Sequence, residues 1–269
     1  MTLPHSVLID EIFIGVYALT FVATLICGLR HGFSGAAGFF SLVLFSGVRL
    51  ASNIMLTDQY YRHYSSASMV KWGYILHGIG YSFLVTSILS FLSIVHASAN
   101  GLGDATVKGY KRPWMLRLLH LVNLAALALL ITGYSKSSDV FDGTSSNAKL
   151  NSSAHIGDIV YCGITLVLFG YASVLVPKTS GSDMQVLARV FVALLFMAVR
   201  CGYATWHMYQ VPFLGVNLWC KLGLDYVPEV LVVLTLVSIA FVKRGRRYEL
   251  SPKQHGNGQG GYSYAWASR

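Results

Sequence analysis

Charge is what this sequence has least of. Only 12% of its 269 residues are Asp, Glu, Lys or Arg, whereas 54% are hydrophobic and the mean hydropathy is +0.56. That balance excludes an ordinary soluble domain and identifies an integral membrane protein. Negative charge is the scarcer sign, with 11 acids against 20 lysines and arginines. The surplus basic residues occupy short loops and the tail, where they act as topology determinants, so a nucleic-acid partner is not expected. Cysteine is sparse too: Cys27, Cys162, Cys201 and Cys220 have no paired short spacing, which argues against a zinc site or a disulfide framework. The sequence also lacks HExxH, CxxC and any 2-His-1-carboxylate spacing, so neither a metal nor a cofactor is expected. A basic segment ahead of the first apolar run is missing as well; Asp10 and Glu11 stand there, so the first span is read as its own insertion signal. Internal repeats and long soluble insertions are absent, which leaves one membrane domain over residues 1–247. The glycine-rich polar tail, 248–269, has too little apolar surface to fold and is expected to be disordered and cytoplasmic.

What the sequence does have is apolar runs long enough to cross a bilayer, which takes about 20 helical residues. Seven are read: Leu8–Leu29, Ala37–Thr57, Met69–Val95, Met115–Tyr134, Ala154–Val176, Gln185–His207 and Leu222–Val242. The expected fold is therefore all-α, a seven-transmembrane helix bundle. Lysine and arginine are concentrated in the first, third and fifth loops and the tail: Arg30; Lys108, Lys111, Arg112 and Arg117; Lys178; Lys243 to Arg269. They outnumber Arg62, Lys71, Lys136, Lys149 and Lys221 in the other loops. By the positive-inside rule the N-terminus is lumenal and the C-terminus cytoplasmic, as for a multi-pass protein of the endoplasmic reticulum. Asn151-Ser152-Ser153 in the fourth loop is a glycosylation sequon on the lumenal side of this topology.

Depth can then be assigned to each polar residue. Arg49 lies about twelve residues, roughly 18 Å of helical rise, into a span that starts on the cytoplasmic side. It thus reaches past the midplane toward the acids, nearly all of which belong to the lumenal half. The expected layer contains Glu11, Arg49, Asn53, His77, Tyr81, Asp158, Arg200, Tyr203, His207, Asp225 and Glu229. Isolated charges in hydrocarbon are expensive, so these groups are expected to meet around a shared cavity, arginine paired with carboxylate. Helix-terminal acids are also explained by the macrodipole and interfacial water, and lone histidines by interhelical hydrogen bonds, so each residue has a structural explanation beside the functional one.

The stretch RHGFSGAAGFFSLVLFSGVRLASN, residues 30–53, resembles a group of small fungal multi-spanning membrane proteins. That group is similar to the membrane-bound terpene cyclases of fungal meroterpenoid biosynthesis, of the ascofuranone and macrophorin type. The resemblance implies proton-initiated cyclisation of a farnesyl chain, by protonation of a terminal epoxide or olefin, on a lipid-soluble prenylated aromatic substrate that enters from the membrane lipids. The site assignments rest on depth and chemistry: Glu229 with Asp225 as the acid, Asp158 or Glu11 as its neighbour, and Arg49, Asn53, His77, Tyr81, Arg200, Tyr203 and His207 around the substrate. Aromatic walls would shield the cation. A seven-span receptor or sensor binding a small ligand in the same cavity is the alternative.

Overall fold

The computed structural model describes residues 5–31, 38–62, 67–100, 113–141, 149–210, 218–242, 248–249 and 265–266. Helices α1 (His5–His31), α2 (Phe39–Arg62), α3 (Ala67–Ala99), α4 (Trp114–Ser135), α6 (Ser152–Leu175) and α7 (Gly181–Met208) each contain a span-length apolar stretch. The seventh is composite: α8 (Leu218–Lys221), a π-helical turn (Leu222–Tyr226) and α9 (Val227–Val242) together supply Trp219–Val242. A one-turn helix, α5 (Ser138–Phe141), lies between α4 and α6. The seven spans fall within a few residues of the apolar runs. In the tail, expected to lack order, β1 (Tyr248–Glu249) pairs antiparallel with β2 (Ala265–Trp266); its remaining residues, like residues 32–37, lie outside those described.

The bundle is organised around α3, which contacts α2, α4, α5, α6 and α7 and is the most deeply buried span. Its C-terminal half suits that place because its serines and Thr86 are small and return their hydrogen bonds to the backbone. Thr86 donates to the Ser82 carbonyl at 2.9 Å, Ser90 to that of Thr86 at 2.9 Å, and Ser93 to that of Ser90 at 2.7 Å, so these hydroxyls are satisfied within the apolar interior. Ser87 reaches the Gly38 carbonyl at 3.1 Å and ties down the start of α2. The outer faces carry Leu19, Leu29, Leu121, Leu166 and Val174, all exposed, as a lipid-facing surface requires.

Two backbone devices shape the site. Gly133 on α4 lies so close to α6 that a Cβ there would fall 2.3 Å from the Ala154 nitrogen, the small-residue contact that lets membrane helices approach. At the other wall, Pro228 lacks the N–H that an α-helix would aim at the Leu224 carbonyl. The preceding turn widens instead, and the Val227 N–H reaches the Leu222 carbonyl five residues back. The turn carries Lys221, Asp225 and Tyr226 at its edges and centre, and all three enter the polar network.

Candidate functional site

At the end of the bundle where α1 begins and α7 finishes, charged side chains from four helical elements converge. Arg49 of α2 has no solvent exposure, nor has Glu229 of α9. The Arg49 Nε and Nη2 donate to the two oxygens of Glu229 in a forked pair, and Arg49 Nη1 donates to His77 Nδ1. Glu229 also accepts from the Tyr17 hydroxyl at 3.0 Å and faces Arg200 Nε at 2.7 Å. Arg200 Nε lies 3.0 Å from Asp225 Oδ1, and His77 Nε2 lies 3.1 Å from Asp225 Oδ2. Because Nδ1 of His77 accepts, Nε2 is the nitrogen that carries hydrogen, and the ring is neutral.

The guanidinium groups are also placed against aromatic rings. Arg49 lies 5.4 Å from the Tyr17 ring centre and 5.7 Å from that of Tyr226, and Arg200 lies 4.8 Å from that of Tyr81. Each contact replaces part of the hydration these cations give up. Gly80 makes the first arrangement possible: a Cβ there would approach Arg49 Cδ to 3.1 Å. A second pair lies at the rim, where Lys221 Nζ is 3.7 Å from Asp10 Oδ1 and Tyr226 donates to the same oxygen at 2.7 Å.

Beside this network opens a cavity of about 260 Å³. His77, Arg200 and Asp225 form its inner wall, Tyr74, Tyr81, Tyr134, Tyr161 and Tyr203 supply most of its aromatic surface, and His207 and Lys221 complete its polar lining. Asp158 of α6 also lines it. It is 6% exposed and accepts a 2.5 Å hydrogen bond from Thr205. Among the described residues no guanidinium or ammonium pairs with it.

The sequence-derived residues thus separate into three groups. His77, Tyr81, Asp158, Arg200, Tyr203, His207 and Asp225 line the cavity. Arg49, Glu229 and Asn53 sit behind its wall: the first two form the ion pair, and Asn53 accepts a 3.5 Å contact from Tyr226. Glu11 belongs to neither, because it is held by Tyr61 on the partly exposed face of α1. Asn151 caps α6, its Oδ1 accepting from the Ser153 N–H at 3.0 Å. Tyr17, Tyr226, Lys221, Asp10 and Thr205 are participants not singled out from the sequence. One signal for α1 was available: Asp10, Phe13, Tyr17, Thr20 and Thr24 recur at helical spacing and mark its inward face.

His77, Asp225 and Glu229 present ligand atoms within 4.8 Å of one another, a spacing a metal ion could use. Both carboxylates, however, already face guanidinium groups, so the cluster is charge-balanced and a divalent cation would have to displace a guanidinium to reach them. Metal chemistry is therefore not a reading these residues favour.

These features define a multi-pass membrane protein with a charged intramembrane network and an adjoining tyrosine-lined chamber. The chain belongs to the family described as a domain of unknown function, DUF7702, which matches residues 1–246. No curated protein and no solved structure matches it.

Proposed function

We propose that the chamber is the active site of a membrane-bound terpene cyclase and that Asp158 supplies the initiating proton. The observation that carries this reading is the contrast between the carboxyl groups. Glu229 faces two guanidiniums and a phenol, and Asp225 is paired with Arg200 and His77. Asp158 has only the Thr205 hydroxyl among the described residues, in a cavity lined largely by aromatic rings. A proton donor is better placed where its charged form gains least. Transfer of the Asp158 proton to a terminal olefin carbon or epoxide oxygen leaves a carboxylate opposite the new carbocation. Ring closure moves the cation along the chain, and loss of a proton from an adjacent carbon to that carboxylate regenerates the acid. The product is an isomer of the substrate.

The basic loops support a topology in which this end of the bundle is lumenal, in the membrane of the endoplasmic reticulum. The cavity is smaller than a farnesylated phenol, so the reacting end of the chain would occupy it while the remainder lies between helices in the lipid. The same size favours a second reading, sensing of a compact ligand, since drug-sized molecules occupy pockets of roughly 300–1,000 Å³. Microsomes from a fungal host expressing the chain, supplied with a farnesylated phenol and with its terminal epoxide, test the choice. A cyclised product of unchanged mass, abolished by Asp158→Asn, is expected. Absence of product from both substrates, with a ligand-dependent response in the same cells, would overturn the cyclase reading in favour of the sensor.

A further inference from the structure

The charges around the chamber do not cancel. On the inner side Arg49 and Arg200 are balanced by Glu229 and Asp225, and at the rim Lys221 is balanced by Asp10. His77 is neutral by its hydrogen bonds. Asp158 is the acid left over, buried and without a basic partner among the described residues. It shares the cavity with an unpartnered group: Tyr203 is 6% exposed, lines the same space, and its hydroxyl has no hydrogen-bond partner among the described residues. A carboxylate and a phenolic oxygen can both accept, and among the described residues neither is offered a donor beyond Thr205.

We infer that the chamber binds a small organic cation, a protonated alkylamine with an apolar substituent. The ammonium would occupy the space between Asp158 and Tyr203, donating to the carboxylate and the phenol, with Tyr134 and Tyr161 among the rings that replace its water. This is the chemistry by which aromatic cages hold ammonium groups, reinforced by one ion pair. The opposing cations do not compete for the site, because each is committed to an acid of its own and Arg200 and Lys221 are further engaged with Tyr81 and Tyr226. An apolar substituent of modest length fits the remaining volume, since the cavity of about 260 Å³ is lined mainly by apolar and aromatic side chains.

The inference stands apart from the cyclisation: it uses Asp158 as the carboxylate, the form left once its proton has been given up, and an amine that arrives with its own proton needs no chemistry. The protein in nanodiscs of zwitterionic lipid, titrated calorimetrically with N-methylprenylamine, whose ammonium has two N–H groups, and with the neutral methyl prenyl ether of the same shape, provides the test. The amine is expected to bind at least about tenfold tighter than the ether at neutral pH, and Asp158→Asn to remove that preference. Equal affinity for amine and ether in the unmodified protein, or a preference that survives in a monodisperse Asp158→Asn variant, would overturn it. Tyr203→Phe gives an arm independent of the folding of the first variant. It should weaken the protonated amine several-fold relative to the trimethylammonium analogue, which has no N–H to donate, and an unchanged ratio of the two counts against the geometry. Amine preference without cyclised product leaves this inference standing and removes the cyclase; product without amine preference does the reverse.

Discussion

The two acids that matter most differ in what their removal should cost. Glu229 is the hub of a buried network, and Glu229→Gln leaves Arg49 and Arg200 without their shared counter-ion. Breaking a buried pair from one side costs about 3–5 kcal/mol, so the variant is expected to melt far below the parent in detergent, or not to accumulate. Asp158 is buried with no guanidinium or ammonium paired to it among the described residues, so its isostere breaks no ion pair. Asp158→Asn should therefore melt at or above the parent temperature while losing activity, an opposite pattern that thermal denaturation followed by a conversion assay would separate. If both variants lost stability equally, Asp158 would belong to the structural network and not to the chemistry. Tyr17 tests the network more gently. Its hydroxyl donates to Glu229 at 3.0 Å from a fully buried position, and a hydrogen bond to a charged group contributes about 1.5–3 kcal/mol. Tyr17→Phe should lower stability by that order without changing which ligands the chamber accepts, as read from denaturant midpoints and binding titrations.

At the scale of the helices, the site depends on how closely backbones approach. Arg49 can lie across α3 only because residue 80 has no side chain. A valine there would place its first carbon 3.1 Å from Arg49 Cδ and 3.4 Å from the Phe45 ring, with two further methyls to house. Overpacking of this kind costs about 1–3 kcal/mol, and here the strain falls on the residue that orients Glu229 and His77. Gly80→Val is expected to lower the melting temperature and to disturb ligand binding together, whereas Gly163→Val, where no atom lies within 4 Å of the added carbon, should do neither. The comparison isolates close approach from the general cost of a β-branched residue in a helix, provided both variants are measured in the same lipid. The π-turn makes the complementary point for the seventh span. Read as a plain helix, residues 225 and 229 share a face; with the wider turn they still converge on Arg200, but Lys221 and Tyr226 are brought into the cluster as well. A missing proline N–H accounts for that change, and it could not have been placed from hydrophobic periodicity.

For the molecule as a whole, the seven spans were legible in the sequence because apolar run length measures bilayer thickness directly. The layer of charged residues was legible for the same reason, since counting residues from a span's end gives depth. Depth alone does not give direction around a helix. Asp10 and Glu11 are adjacent and equally deep, yet about 100° apart on the α1 surface, so Asp10 meets Tyr226 and Lys221 while Glu11 meets Tyr61. Lys221 was counted as a loop charge because it stands just outside the apolar run, although its ammonium turns back over the Tyr226 ring at 5.2 Å. Which acids find cations across helices was equally out of reach: Glu229 faces Arg49 and Arg200, whereas no guanidinium or ammonium pairs with Asp158 among the described residues. The same distribution of charge carries a prediction about orientation. The network and the chamber lie at one end of the bundle, and the sequence assigns its basic surplus to the loops and tail of the other, the end that the positive-inside rule keeps in the cytoplasm. In sealed microsomes, external protease should remove an epitope placed after Arg269 and spare one placed before Met1. The reverse pattern would turn the chamber toward the cytosol and require its ligands to come from that side, so the two epitopes decide which compartment the site can sample.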